Sequence, residues 1–441
     1  MRRKKVRRKF LNPARLIEIT IVIVLLSIIA VVVMGFFPFS HPRLRDYANT
    51  VLIKKGAGDC SVENVVVTPW KKIELYGLDL RISRNGLNGH FQIERLKLSC
   101  NLFSLLLNWG ELKKDLAYLS ITFKEQLFSR PYVTMDEIVR FRTHHNSLND
   151  LEIDKGDVDI TRGNEITSSI QNLSAHVFFE EDKAEEIQMS FEGEKIFAGR
   201  NIAEHFKGTA AYNDGRVRFN KCKGRAYNGK FKINATINLL NRYLEKSDMA
   251  GFDFDLQSFC NDQHFQKGKI SGKADIEMNL RGFLNIDSLR GTAVVTASDV
   301  SVSEFPIQNA FSIFLMVPQF SSLYFQKIRA DLEFKPQGVI LTSINGNGEM
   351  LDIESDGWID KGGTLNQQMH GEISEALVED LSNLVVNSLE STERNGRLFK
   401  CRVYGSLSNP KIELDKTILK KAVGNVFQNV RQGFQELFKK K

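Results

Sequence analysis

The sequence predicts a mainly β, antiparallel protein with an N-terminal transmembrane helix, few other helices and a C-terminal amphipathic helix. Three observations carry that reading: a charge-free apolar run at 19–37, about twenty segments of alternating apolar and polar residues separated by turn-forming residues, and basic charge confined to the two chain ends.

The charge distribution sorts the function classes first. The 441 residues carry a net charge of +7, with 42% hydrophobic and 26% charged residues and 9 prolines, so the chain is too apolar for disorder and too long for a minimal domain. Arg2, Arg3, Lys4, Lys5, Arg7, Arg8, Lys9 and Arg15 crowd the N-terminus, and residues 415–441 are again basic. Residues 16–414 sum to −6. A mildly acidic body argues against a nucleic-acid surface, which needs its basic charge on the fold itself.

The first element is Ile19 to Phe37, which spans about 28 Å as a helix and matches a bilayer core. Its apolar run is longer than a signal-peptide core, and Gly35-Phe36-Phe37-Pro38-Phe39 offers no small-x-small cleavage site, so it reads as an uncleaved anchor. The cluster Arg2, Arg3, Lys4, Lys5, Arg7, Arg8 and Lys9 before the span sets the topology, with the N-terminus cytoplasmic and residues 38–441 across the membrane.

After the anchor, Arg43 to Lys55 has helical apolar spacing at Leu44, Tyr47, Val51 and Leu52, and Gly56-Ala57-Gly58 ends it. The period then becomes two. Ile73, Leu75, Leu78, Leu80 and Ile82 alternate with one phase slip at Gly77, and Phe91-Ile93 followed by Leu96-Leu98 slips in the same way. That pattern predicts bulges and a curved sheet. Phe231 to Leu239, Ile270 to Leu280 and Ile328 to Phe334 alternate cleanly. Asn213-Asp214-Gly215, Asn228-Gly229 and Asn345-Gly346-Asn347-Gly348 read as hairpin turns. No strand–helix alternation appears, which excludes a parallel α/β enzyme fold.

Three further helices are predicted. Glu375 to Ser391 carries a one-sided stripe of Leu377, Leu381, Leu384, Val385 and Leu389, and Pro306 to Val317 ends at Pro318. Asp415 to Phe438 is amphipathic and basic, which suits either a membrane interface, an acidic partner or a cover for an open sheet end.

Cys60, Cys100, Cys222, Cys260 and Cys401 contain no C-x-x-C spacing and read as small buried strand residues, neither zinc site nor redox pair. No catalytic constellation emerges. His144-His145 would point to opposite faces of a strand, Glu180-Glu181-Asp182 with Glu185-Glu186 reads as a solvated acidic turn, and Gly346-Asn347-Gly348 is followed by no helix. The chain reads as a non-enzyme with no cofactor and no metal.

The order of pieces resembles the AsmA-like family of bacterial inner-membrane-anchored envelope proteins. One block comprises the anchor, the post-anchor helix, "VENVVVTPWKKIELYGLDLRIS" (62–83) and "GHFQIERLKLSCNLFSLLLNWGEL" (89–112). The other comprises "ISGKADIEMNLRG" (270–282), "GTAVVTASDVSV" (291–302), 317–365 and "CRVYGSLSNPKIELD" (401–415). The division that follows is 1–18 basic tail, 19–37 anchor, 38–125 AsmA N-terminal-like region, 126–265 strand-rich middle, 266–415 AsmA C-terminal-like region with a helical insertion at 375–396, and 416–441 basic helix.

The resemblance implies an elongated, twisted, taco-like β-groove with an apolar concave face, as in bridge-like lipid transfer proteins. It implies a periplasmic role in outer-membrane biogenesis, by phospholipid transfer or by affecting outer-membrane protein assembly and targeting to membrane. The expected partners are phospholipid acyl chains, the inner membrane, and envelope proteins through the C-terminal helix. Phe231, Ile233, Ile237, Leu239, Ile276, Met278, Leu280, Leu332 and Phe334 are the expected groove lining. The rival is a pair of β-sandwich domains whose apolar faces pack together, an anchored scaffold that binds envelope proteins and carries no lipid.

Overall fold

A computed structural model of the chain describes residues 37–54, 59–84, 87–100, 136, 139–140, 148–163, 165–179, 186–262, 268–284, 288–305, 308, 312, 322–379, 381, 386, 389–393, 395–406 and 409–414. The chain opens with β1 (Phe39–Ser40), α1 (Pro42–Lys54), β2 (Asp59–Ser61), β3 (Asn64–Thr68), β4 (Lys72–Arg84) and β5 (Leu87–Cys100). An up-and-down meander follows: β6 (Leu148–Arg162), β7 (Glu165–Phe179), β8 (Ile187–Ala198), β9 (Asn201–Asn213), β10 (Arg216–Ala226), β11 (Gly229–Asn238) and β12 (Tyr243–Asp255). After α2 (Leu256–Asp262) come β13 (Lys269–Phe283), β14 (Arg290–Ser303), β15 (Ser322–Lys335), β16 (Gly338–Gly348), β17 (Leu351–Asp360) and β18 (Thr364–Ile373). The chain then runs through α3 (Glu375–Val378), β19 (Glu390–Ser391), β20 (Arg397–Ser406) and β21 (Asn409–Leu414).

All of these strands belong to one 21-stranded sheet. From β3 to β18 each strand pairs antiparallel with the next, β18 pairs with β20, and β20 with β21. At about 4.8 Å per strand, that ladder extends on the order of 90 Å. One open sheet therefore forms in place of two packed sandwiches. Its register continues from β12 into β13 with Met249 opposite Met278, and from β18 into β20 with Thr364 opposite Ser406 and Ile373 opposite Arg397. The 375–396 insertion thus leaves the β18–β20 pairing in register, and its strand β19 joins the other side of β20.

Bends in the sheet arise where several strands change phase together. Gly77 has φ 59° and sits across from Glu94, with Tyr76–Arg95 and Leu78–Ile93 paired on either side, so β4 and β5 stay in register through the slip. Lys155, φ 51°, takes the corresponding place in β6 and pairs its ammonium with Glu94 at 3.2 Å. The slip at Gly77 is therefore a matched kink across three strands and not a one-strand bulge. Elsewhere a side chain from the neighbouring strand caps the kinked amide: Asn172 N–H donates to Asp157 Oδ1, Lys221 N–H to Asn234 Oδ1 and Asp253 N–H to Asp275 Oδ1, at 2.8, 2.8 and 2.9 Å. Each cap satisfies an amide that the ladder leaves unpaired.

The predicted turns fare unequally. Asp214 and Gly215 both have positive φ, as a type I′ hairpin requires, and link β9 to β10. The next hairpin turns one residue earlier than predicted, at Tyr227-Asn228, where Tyr227 is held by Phe254 and Phe259 in edge-on ring contacts. Asn345 to Gly348 is no turn and lies inside β16. Gly346 faces the apolar side there, where a Cβ would sit 2.9 Å from Ile353 Cγ1, so the glycine makes room for packing instead of bending the chain.

Two clusters of buried apolar residues form, one over β2–β4 and one running from β13 to β20, and β7–β9 add the buried residues Ala175, Ile187, Phe206, Ala210 and Tyr212 outside them. Near the start, Cys60, Val62, Val65, Val67 and Leu78 pack with Leu44 and Ala48 of α1. Tyr47 is 60% exposed, so the covering face of α1 is Leu44/Ala48 and not the stripe read through Tyr47. Near the end, Val300, Ile373, Phe399 and Val403 pack with Leu377, Leu381 and Leu389 from the insertion. The apolar stripe there is used as expected, although the described helix is only Glu375–Val378. Strands β6–β12 contribute to neither cluster.

Residues 19–36 of the anchor at 19–37, the helix predicted at 306–317 apart from residues 308 and 312, and the helix at 415–438 lie outside the described residues. Among the described residues no helix is long and apolar enough to cross a membrane.

Because Ile373 is fully buried and Met278 only half-buried, the two truncations should differ. Ile373→Ala is expected to cost about 3 kcal/mol and Met278→Ala about 1 kcal/mol in urea unfolding of the full chain. Equal losses would mean that Met278 is as closely packed as Ile373.

Candidate functional site

Strand alternation puts every second side chain on one face, and antiparallel pairing aligns those side chains from strand to strand. One row can be followed through the whole ladder. Val65 pairs with Leu75, Leu75 with Leu96, Leu96 with Ile153, Ile153 with Ala175 and Ala175 with Phe191. Phe191 faces Gly208, which lies against Cys222 where the β9–β10 register shifts. From Cys222 the row continues through Ile233, Met249, Met278, Ala293, Leu332 and Leu341. It then passes Gly357 and Gln367 before Val403 and Ile412. Gln367 is its one polar member, buried and bonded to Ser355 Oγ at 3.2 Å and to the Trp358 carbonyl at 3.3 Å.

Parallel rows flank it on the same face. Phe231, Gly251, Ile276, Val295, Ala330 and Ile344 form one, and Phe219, Ala235, Ser247, Leu280, Gly291, Phe334 and Val339 another. Three rows about 7 Å apart make an apolar band on the order of 14 Å across. Through β10–β13 its large members are only half-buried.

Eight of the nine predicted lining residues lie on this face: Phe231, Ile233, Ile237, Ile276, Met278, Leu280, Leu332 and Phe334. Leu239 does not belong with them. β11 ends at Asn238, and Leu239 enters the following turn with its N–H on the Gly215 carbonyl. Alternation in sequence ran one step past the strand because Asn238 uses its side-chain oxygen to accept from the Leu240 N–H at 3.0 Å and turn the chain. The basic residues Arg2, Arg3, Lys4, Lys5, Arg7, Arg8 and Lys9 lie outside the described residues, as do His144, His145 and the acidic residues 180–182 and 185.

A trough of about 1000 Å³ crosses β6–β11, lined by Ile153, Ala175, Phe191, Gly208, Cys222 and Ile233 of the apolar row and by charged neighbours along the same strands. On β9 Tyr212 is buried and donates its hydroxyl proton to Asp136. Burial and the Asp136 carboxylate both push the Tyr212 hydroxyl pKa up.

The opposite face is polar and electrically divided. Around β5–β7 opposite charges pair across strands, Lys97 with Glu152 at 2.7 Å and Arg95 with Asp154 at 3.2 Å. The Lys97 hydrogen bond holds the Glu152 carboxyl below its ordinary pKa. Around β9–β11 like charges face one another, Lys207 opposite Lys223 and Lys223 opposite Lys232, beside a hollow of about 750 Å³.

All five cysteines are free thiols. Cys60, Cys100 and Cys401 are buried in strands as expected, and burial pushes the Cys100 thiol to about 11 and the Cys401 thiol to about 12. Cys260 departs from the expectation, being half-buried in the short helix α2, and Cys222 is half-buried in the apolar row.

Compared with known proteins, the chain matches no family model, no curated protein and no solved structure.

Cys222 makes the openness of the row measurable. In a thiol titration of the folded full chain at pH 8, Cys222 and Cys260 should react first, and Cys60, Cys100 and Cys401 only once urea unfolds the sheet. Cys222→Ser should remove one fast equivalent. A fast count unchanged by that substitution would show the row to be covered at this point.

Proposed function

We propose that this chain is an inner-membrane-anchored, periplasmic AsmA-like protein that holds phospholipid acyl chains along the apolar face of its sheet and passes them between envelope membranes. The observation that carries the reading is the row from Val65 to Ile412, apolar at nearly every strand and half-exposed through the middle of the ladder. An apolar band of that length is costly in water unless something apolar lies on it. Acyl chains suit it because the rows are continuous, carry no buried charge and are free of a fixed polar anchor between β3 and β16 apart from Ser247.

The two ends fit the same reading. Their buried clusters close the sheet with α1 and with residues of the 375–396 insertion, and the large apolar side chains of β10–β13 stay half-buried between them. Anchoring follows from the apolar run at 19–37, and the direction of insertion from the seven basic residues Arg2 to Lys9.

A photoreactive phenylalanine analogue distinguishes the two faces in living cells. Placed at Met249, Met278 or Leu332 of the full chain, it should crosslink to phospholipid. Placed at Lys232, Glu277 or Glu333 on the polar face, it should give at least tenfold less lipid adduct. Equal lipid adducts from both faces, or protein adducts alone from the apolar face, would refute acyl-chain binding.

A further inference from the structure

We propose that Asp150, Glu152 and His176 form a binding site for a divalent transition-metal ion on the polar face of the sheet. Asp150 and Glu152 are two residues apart on β6, so both carboxylates leave the same face. The register places His176 of β7 directly opposite Glu152. One ligand atom from each residue lies within 4.8 Å of the other two.

The unsatisfied chemistry is between Asp150 and His176. Asp150 Oδ1 and His176 Nε2 are 3.9 Å apart, on side chains 27% and 44% exposed, and these two atoms face each other away from solvent with no hydrogen-bond partner. Two polar atoms that face each other at this distance without a hydrogen bond leave a gap of the size a cation fills. A cation about 2.1 Å from each would satisfy both with small side-chain movements.

The surrounding charges leave room for it. Lys97 occupies Glu152 Oε1 at 2.7 Å, and Arg95 is engaged by Asp154. The other Glu152 oxygen and the Asp150 carboxylate remain for a metal, and Ser190 stands opposite His176 on the β8 side. One imidazole nitrogen with two carboxylate oxygens suits zinc or manganese better than calcium or magnesium, which favour all-oxygen shells. Three protein ligands leave a position for water or an outside group. By strand parity the three side chains leave the face opposite the apolar row, and Glu152 and His176 also border the trough that Ile153 and Ala175 line.

The test uses the full chain without a polyhistidine tag, stripped by chelator and titrated with Zn²⁺ by calorimetry. One ion per chain is expected, with affinity at least tenfold weaker in His176→Gln and in Asp150→Asn. Lys97→Met should leave affinity equal or tighter. On the wild-type protein, zinc X-ray absorption should show nitrogen and oxygen neighbours and no sulfur, a readout that survives even if a variant fails to fold. No stoichiometric uptake, uptake indifferent to His176→Gln and Asp150→Asn, or a sulfur-containing shell would overturn the site.

Discussion

The constraint on which the rest of the structure depends is cross-strand register. In a sheet with a side-chain period of two, a slip of one residue between any two strands would turn apolar side chains to the other face. The row from Val65 to Ile412 survives such hazards because kinks are shared or absorbed. At Gly77, Glu94 and Lys155 three strands change phase together. At the β9–β10 shift Gly208 lets Cys222 come close, since a Cβ there would lie 2.6 Å from its Sγ. Curvature and continuity are thus obtained from the same residues.

A second consequence of register concerns phenylalanine and glycine. Phe206 lies over Gly193, Phe231 over Gly224 and Phe399 over Gly371, in each case a ring covering the glycine directly across the pair. A glycine alone would leave a hole in the apolar face and weaken the strand; the ring fills it and shields the backbone bonds. The 31 phenylalanines of the chain are therefore partly strand-pairing devices, which composition alone does not reveal. The terminal strands are handled differently: β1 and β19 are two residues long, and β21 carries Pro410, so little unpaired edge is offered for association.

Much of this was legible in the sequence because alternation is a local signal. The strands around Ile233, Met278 and Leu332 were readable from a few residues each, and so was the matched slip in β4 and β5. What was not legible depended on pairing. Leu239 looked like a continuation of β11 because nothing local says that Asn238 caps the turn. Gly346 and Gly348 looked like a turn because their packing partners, Ile353 and Phe325, are contributed by neighbouring strands. Asp150, Glu152 and His176 gave no motif, since His176 meets Glu152 only through the β6–β7 register.

A sheet in which each strand touches only its neighbours distributes stability locally, much as repeat proteins do. Tight and loose packing can therefore alternate along one ladder: Val300, Ile373 and Val403 are 0% exposed, whereas Ile233, Met249 and Met278 are only half-buried. Filling the middle with a second layer would raise stability and remove the surface on which acyl chains would lie. The proposed function thus requires the half-buried rows of β10–β13 to remain uncovered, and the two buried clusters supply folding energy that those rows forgo.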